Sequence, residues 1–251
     1  MNYSLYSSLL FIWIGFGIAT FFLLLKVTAP FGRYASTHWG PVIDNRIAWF
    51  VMEATVLVTF WYFVFPLAKN LSFPALIISF LFTLHYINRA FIFPFRIRTK
   101  KKKMPVVIMF SAILFNIVNG SALGYFLTHF SSYTNEWLND WRFILGAILF
   151  FSGMIINWRA DNTLIHLRKK IETGYQIPYG ELFGLISCPN HFGEIAEWFG
   201  FALLSWCLPA AAFFIWTSAN LLPRSLAHHR WYKQHFPDYP SNRKAVIPFF
   251  M

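Results

Sequence analysis

Residues 104–130 read MPVVIMFSAILFNIVNGSALGYFLTHF, a run with no aspartate, glutamate, lysine or arginine. A helix needs ~20 mostly apolar residues to cross a hydrocarbon core ~30 Å thick. The run is long enough, and its polar residues do not alternate with apolar ones, so a strand of a membrane barrel is not its reading. It predicts a membrane-spanning helix.

The same pattern recurs along the chain. Residues 5–25 carry no charge, residues 47–68 carry only Glu53, and residues 71–95 are apolar apart from His85, Asn88 and Arg89. Residues 143–158 form a shorter clean block, and residues 198–223 an uncharged one containing Pro209. Of 251 residues, 57% are hydrophobic, 21% aromatic and only 12% charged, against ~25% charged in soluble domains. The expectation is an all-α polytopic membrane protein forming one domain over residues 1–251. The first block lacks a basic leader and an A-x-A-like cleavage site, so it reads as a retained helix. Cys188 and Cys207 make no disulfide framework.

The placement of basic residues orients the helices. The net charge is +11, and its densest run is RIRTKKKK at 96–103. Lysine and arginine in short loops mark the cytoplasmic side. Further bases follow Trp158 (Arg159, Arg168, Lys169, Lys170) and occupy the C-terminal segment (Arg224, Arg230, Lys233, Arg243, Lys244). The connection 131–140 carries Glu136 and Asp140 and no base, which puts it outside. Two passes must then fit between residues 190 and 230, where 1.5 Å per residue allows roughly 60 Å of helix. Pro209 suits the turn. The expected count is seven transmembrane helices, N-terminus outside and C-terminus cytoplasmic, with a single kinked sixth helix as the competing count. The bases anchor to anionic headgroups. They are spread over short loops with no domain to present them, so nucleic acid is not the partner.

Ionisable residues inside a span are functional-site candidates by default. Glu53 lies six residues into its block, about 9 Å by rise. Burial raises a carboxyl pKa, which suits it to donate a hydrogen bond to a substrate carbonyl. In LHYINRAF (84–91), His85, Asn88 and Arg89 share one helix face. Tyr86 points about 100° away and, taken alone, reads as an interfacial tyrosine. Asn157, Asp161, Ile165 and Arg168 form a stripe at the membrane edge, explained equally by a solvated helix end or a polar-ligand site. In SCPNHFGEIAEW (187–198), Asn190, Glu194 and Glu197 form another stripe, with Pro189 suited to a first helical position and Ser187 to its cap. A carboxylate there also simply complements the helix dipole. Glu197 reads as the partner of a base inside the bundle. Arg224, His228 and Tyr232 make a third stripe. His228, His229 and His235 lack the carboxylates or cysteines of a zinc site, so no metal is expected. GFGIAT (15–20) imitates a dinucleotide fingerprint, but it lies in an apolar span and follows no strand. Composition alone fits a transporter or receptor nearly as well as an enzyme.

Four motifs in order carry a resemblance. GEIAEW (193–198), N-x-x-x-D-x-x-L-x-x-L-R (157–168), HHRWY (228–232) and the tail DYPSNRKAVIPFF (238–250) resemble the steroid 5α-reductase (3-oxo-5α-steroid 4-dehydrogenase) family from about Trp49 to the C-terminus. The resemblance implies a seven-helix membrane fold, NADPH bound from the cytoplasmic side, and reduction of the C4–C5 double bond of 3-oxo-Δ4 steroids that enter from the lipid. It implies that Glu53 and Tyr86 hydrogen-bond the C3 carbonyl. It implies NADPH contacts from Arg89, Asn157, Asp161, Arg168, Tyr175, Asn190, Glu194, Arg224, His228 and Tyr232, with Asn190 and Glu194 at the carboxamide or a ribose. The host membrane implied is the bacterial inner membrane or the endoplasmic reticulum. The chain departs from animal members at Met52 (glutamine there), Phe93 (tyrosine) and Ser111 (arginine). A related membrane reductase of another enone or lipid (sterol intermediate, polyprenol, enoyl thioester) is the alternative, followed by a membrane methyltransferase.

Overall fold

The computed structural model describes residues 1–97, 102–169 and 174–251. Residues 98–101 of the basic run, and Lys170, lie outside the described residues. The chain is mostly helical: α1 (Tyr3–Lys26), α2 (Asn45–Val64), α3 (Phe73–Ile87), α4 (Phe93–Arg96), α5 (Val106–His129), α6 (Trp141–Lys169), α7 (Pro189–Ser205) and α8 (Leu208–His235). Among the described residues, five helical segments are long and apolar enough to cross a membrane: Tyr3–Lys26, Asn45–Asn70, Phe73–Arg96, Val106–His129 and Trp141–Arg168. α7 is shorter, at 17 residues, and α8 turns polar from Asn220 onward.

The expected break between the last two helices is present, shifted by three residues. α7 ends at Trp206 in left-handed backbone (φ 43°, ψ 45°), and α8 restarts with Pro209 in its first turn. Proline fits there because a first-turn N–H has no intrahelical acceptor. Residues 189–235 thus form two helices rather than one continuous one. α6 also outruns its apolar block: the helix continues past Trp158 through Lys169. Hydropathy marks what lipid tolerates, and helix hydrogen bonding does not stop where the lipid does.

The chain divides into two compact units, Ala29–Ile144 and Met1–Thr28 with Leu145–Met251.

In the first of these, α5 packs on α2. The Asn116 amide donates to Met52 O at 2.6 Å, and Gly120 lets the two backbones meet. A methyl group on Gly120 would stand 2.7 Å from Val56 O. α3 returns against α2 through Phe60 on Phe82 (4.7 Å between centroids) and Trp61 Nε1 donating to Thr83 Oγ1 at 3.1 Å. The all-α expectation misses a short antiparallel ribbon, β1 (Val42–Asp44) with β2 (Lys103–Pro105), Ile43 opposite Met104. Asp44 closes it and caps α2 by accepting from the Arg46 and Ile47 N–H groups. Asp140 likewise accepts from Arg142, main chain and guanidinium (both 2.8 Å), and that bond holds its carboxyl at about 2.

In the second unit, α1 lies on α8, where Trp216 Nε1 donates to Trp13 O at 2.9 Å. α7 packs on α8 through Trp198 and Phe213 (4.3 Å). α6 and α7 touch backbone to backbone at Gly153 and Gly193. A methyl on Gly193 would sit 2.5 Å from the Asn157 nitrogen and 2.6 Å from Gly153 O. Small residues allow such close approach between membrane helices. The C-terminal tail then returns to the entry of α7 in a parallel bridge of Ile186 with Lys244.

Candidate functional site

The α6–α7 contact assembles two of the stripes. Because Gly193 has no side chain, Asn157 sits directly over the first turn of α7. Its amide donates to Asn190 O at 2.9 Å and reaches Glu194 Oε2 at 3.4 Å. Asn190 in turn donates to Asp161 Oδ1 at 3.1 Å. Four of the residues singled out in the sequence therefore share one network, and Asn157 (2% exposed) and Asp161 (8%) are buried in it.

The α8 stripe adjoins this network through neighbouring residues. His191 Nδ1 meets Ser225 Oγ at 2.8 Å, and the His191 and His228 rings stand 5.9 Å apart. Tyr232 is buried and stacks flat on Tyr239 (5.3 Å, 7°). Tyr175 meets Trp231 edge-on at 5.1 Å. Arg224 is half-buried one turn before His228, whereas Arg168 is exposed, about 10 Å along α6 from Asp161 by rise. Glu197 is fully buried one turn beyond Glu194.

A second polar knot underlies the site. Ser187 does not cap α7, as the spacing suggests. Cys188 occupies that position and makes no side-chain capping bond there. Instead Ser187 Oγ meets His229 Nδ1 (2.6 Å) and Tyr239 Oη (2.6 Å) and donates to Lys244 O (3.1 Å). A serine drawn into three tertiary bonds has none left for a cap. Burial, with Lys233 and Lys244 nearby, pushes the His229 pKa down, and burial pushes the Tyr239 hydroxyl up. Arg243 is 3% exposed. It donates to Pro178 O at 3.0 Å and lies over Tyr179 and Tyr239. Counted along the sequence it is one more interfacial base; in the fold it is a clamp. Its signal in the sequence is its company, the tail motif with Tyr239.

The other unit holds the remaining candidates. Glu53 lies half-buried on α2 and Tyr86 is 3% exposed on α3, so Tyr86 is a core residue rather than an interfacial one. It packs on Phe82 (4.9 Å) and His85 (4.9 Å). α2 and α3 run antiparallel, with Phe60 on Phe82 and Trp49 near Phe93 (5.7 Å). That register brings Glu53 to the level of Tyr86 and Arg89. Arg89 lies over Trp49 (5.1 Å) and Phe93 (4.9 Å), held in a π-turn, Asn88–Ile92. Pro94 cannot donate to Ala90, and widening the turn absorbs the missing bond. Proline inside an apolar span is the signal for this turn.

Among the described residues, no group of three or more His, Cys, Asp and Glu could hold a metal ion, and Cys188 and Cys207 are buried and not joined in a disulfide.

Long apolar helices with carboxylates, amides and guanidinium groups at their ends define a helical membrane protein with polar sites. The model of the 3-oxo-5-alpha-steroid 4-dehydrogenase family matches residues 102–251. The steroid 5-alpha-reductase DET2 of Gossypium hirsutum is 43% identical over 92% of each chain. The 3-oxo-5-alpha-steroid 4-dehydrogenase 1 of Bos taurus is 39% identical over 94% of this chain and 93% of its own, and that of Homo sapiens 36% over 98% and 95%. The chain belongs to the 3-oxo-5-alpha-steroid 4-dehydrogenase family and is an oxidoreductase acting on CH–CH groups.

Proposed function

We propose that the protein reduces the C4–C5 double bond of 3-oxo-Δ4 steroids to 5α-3-oxo steroids, using NADPH. The observation that carries the cofactor half is the joined network of Asn157, Asp161, Asn190 and Glu194. The residues fit the cofactor. Amides and carboxylates suit a carboxamide and ribose hydroxyls, and Arg168, Arg224 and Arg89 suit phosphate, since guanidinium matches phosphate geometry. His228, Tyr175 and Tyr232 complete the set. NADPH, when bound, supplies the hydride.

Glu53 and Tyr86 carry the substrate half. Both donate hydrogen bonds to the steroid C3 oxygen. These bonds draw electron density from the enone and leave C5 electrophilic. Donors preset where charge develops lower the barrier without reorganising. The apolar helices admit the steroid from lipid and keep water from the enone. The relatives' names, steroid 5-alpha-reductase and 3-oxo-5-alpha-steroid 4-dehydrogenase, support the substrate class.

The same reading takes residues 1–251 as one membrane domain, α7 and α8 as the sixth and seventh spans, the N-terminus outside and the C-terminus cytoplasmic. The membrane is the bacterial inner membrane or the endoplasmic reticulum, according to the host. The test is direct. Purified protein in detergent, given NADPH and progesterone or testosterone, yields the 5α-product by mass spectrometry. No 5α-product from any of several 3-oxo-Δ4 steroids overturns the proposal.

A further inference from the structure

A cavity of about 330 Å³ lies on a different face of α6. Ile155, Ile156, Ala160, Leu182, Phe183 and Pro189 line it, and Arg159 and Glu181 stand beside them. Asn157 and Asp161 are each one position further along α6 than Ile156 and Ala160, hence about 100° round the helix. The cavity therefore opens on a neighbouring stripe of α6 and borders the polar network at Ala160 and Pro189.

Its two charged residues are paired. Arg159 Nη2 is 2.7 Å from Glu181 Oε1, with side chains 66% and 51% exposed. Exposed pairs of this kind contribute little to stability, so both groups can be drawn to a ligand at small cost. Yet the backbone holds Glu181 in place at φ 45°, directly after Gly180 at φ 92°. A non-glycine residue is uncommon in that region. Trp158 and Tyr179 flank the charges and are exposed, as aromatic residues are at the level of lipid headgroups. Residue 158 also ends the apolar block of α6.

We infer that this cavity binds a zwitterionic phospholipid bearing a primary ammonium headgroup, a phosphoethanolamine lipid. One acyl-chain segment fills the apolar space, Arg159 takes the phosphate, and Glu181 takes the ammonium. The volume is at the low end of ligand sites, ~300–1,000 Å³, which suits part of one chain rather than a whole lipid. The charges select the headgroup. An anionic headgroup satisfies Arg159 but sets its charge against the Glu181 carboxylate. A quaternary ammonium has no N–H to give Glu181. Phosphoethanolamine supplies an anion and an N–H cation together, and charge-assisted bonds to both ends are the strong kind.

The test uses the full chain in nanodiscs of equimolar phosphatidylethanolamine, phosphatidylcholine and phosphatidylglycerol with matched acyl chains. Native mass spectrometry reads the retained lipid. Phosphatidylethanolamine should be enriched roughly five- to tenfold over both others, the worth of about one charge-assisted hydrogen bond. Glu181→Gln should bring it level with phosphatidylcholine, and Arg159→Gln should reduce retention of all three. Steroid turnover of both variants, measured on the same samples, should remain at the wild-type level and reports that they are folded. Equal retention of the three lipids, a preference for phosphatidylglycerol, or a preference that survives Glu181→Gln overturns the inference. The wild-type selectivity is read on its own, whatever the variants do.

Discussion

The side-chain amide of Asn157 on α6 donates to the main-chain carbonyl of Asn190 on α7 at 2.9 Å. It ties α6 to the first turn of α7, the turn that leads into Glu194. Asn157→Ala should therefore act on the cofactor first. It removes a second hydrogen bond to a carbonyl that the helix already pairs, and an ordinary bond of this kind is worth about 0.5–1.5 kcal/mol. The expected result is a KM for NADPH raised roughly two- to tenfold, with the steroid KM little changed. Steady-state kinetics with each substrate varied in turn check it.

Gly193→Ala tests the close approach itself. The added methyl would meet the Asn157 nitrogen at 2.5 Å, and both neighbours are backbone, which cannot rotate away. Overpacking costs about 1–3 kcal/mol. The melting temperature in detergent should fall, and NADPH affinity with it, because the Asn157–Asn190 bond spans the same contact. An unchanged melting temperature means the helices separate freely.

Glu53→Gln separates chemistry from cofactor binding. The amide keeps the size of the carboxyl and is a far weaker acid. Turnover of a 3-oxo-Δ4 steroid should drop roughly a hundredfold, within the range for removing an oxyanion donor. The Kd for NADPH, read by fluorescence titration, should stay within about twofold. Equal loss of both assigns Glu53 to the cofactor or the fold.

His229 predicts a pH dependence of stability. Its folded pKa lies below the ordinary 6.5, with burial the main cause. As pH falls through 6.5 the unfolded chain takes up the proton first, so stability is full above that value and declines below it. Melting temperature measured from pH 8 to pH 5.5 should fall on the acid side. His229→Gln should flatten that limb, at the cost of a lower plateau from the lost Ser187 bond.

The spans were largely legible because apolarity is a local property. The blocks at 5–25 and 104–130 return as α1 (Tyr3–Lys26) and α5 (Val106–His129) within a few residues. The stripe of Asn157 and Asp161 and that of Asn190 and Glu194 were also visible, since helical spacing fixes which residues share a face. That the two stripes meet was not visible. It depends on Gly153 and Gly193, whose significance appears only when two helices cross. Ser187 reads as a cap when only its neighbours in sequence are considered, but its partners are 42 to 57 residues away. Charge counting put Arg243 among the cytoplasmic bases, whereas two tyrosine rings and a carbonyl hold it inside the fold. Tyr86 looked amphipathic because a tyrosine's depth in a bundle leaves no mark on its sequence neighbours.

The tail bond has a consequence for how the enzyme is made. Ser187 N–H donates to Lys244 O and Cys188 N–H to Ala245 O, so the first turn of α7 is anchored by residues translated more than fifty positions later. The first turn of α7 is made well before its anchor exists. A chain still being synthesised therefore carries Asn190 and Glu194 on an unanchored helix start. On the proposed function, cofactor capture becomes a late event in biogenesis, and a ribosome that stalls before Lys244 yields a helical membrane chain whose α7 entry lacks its anchor.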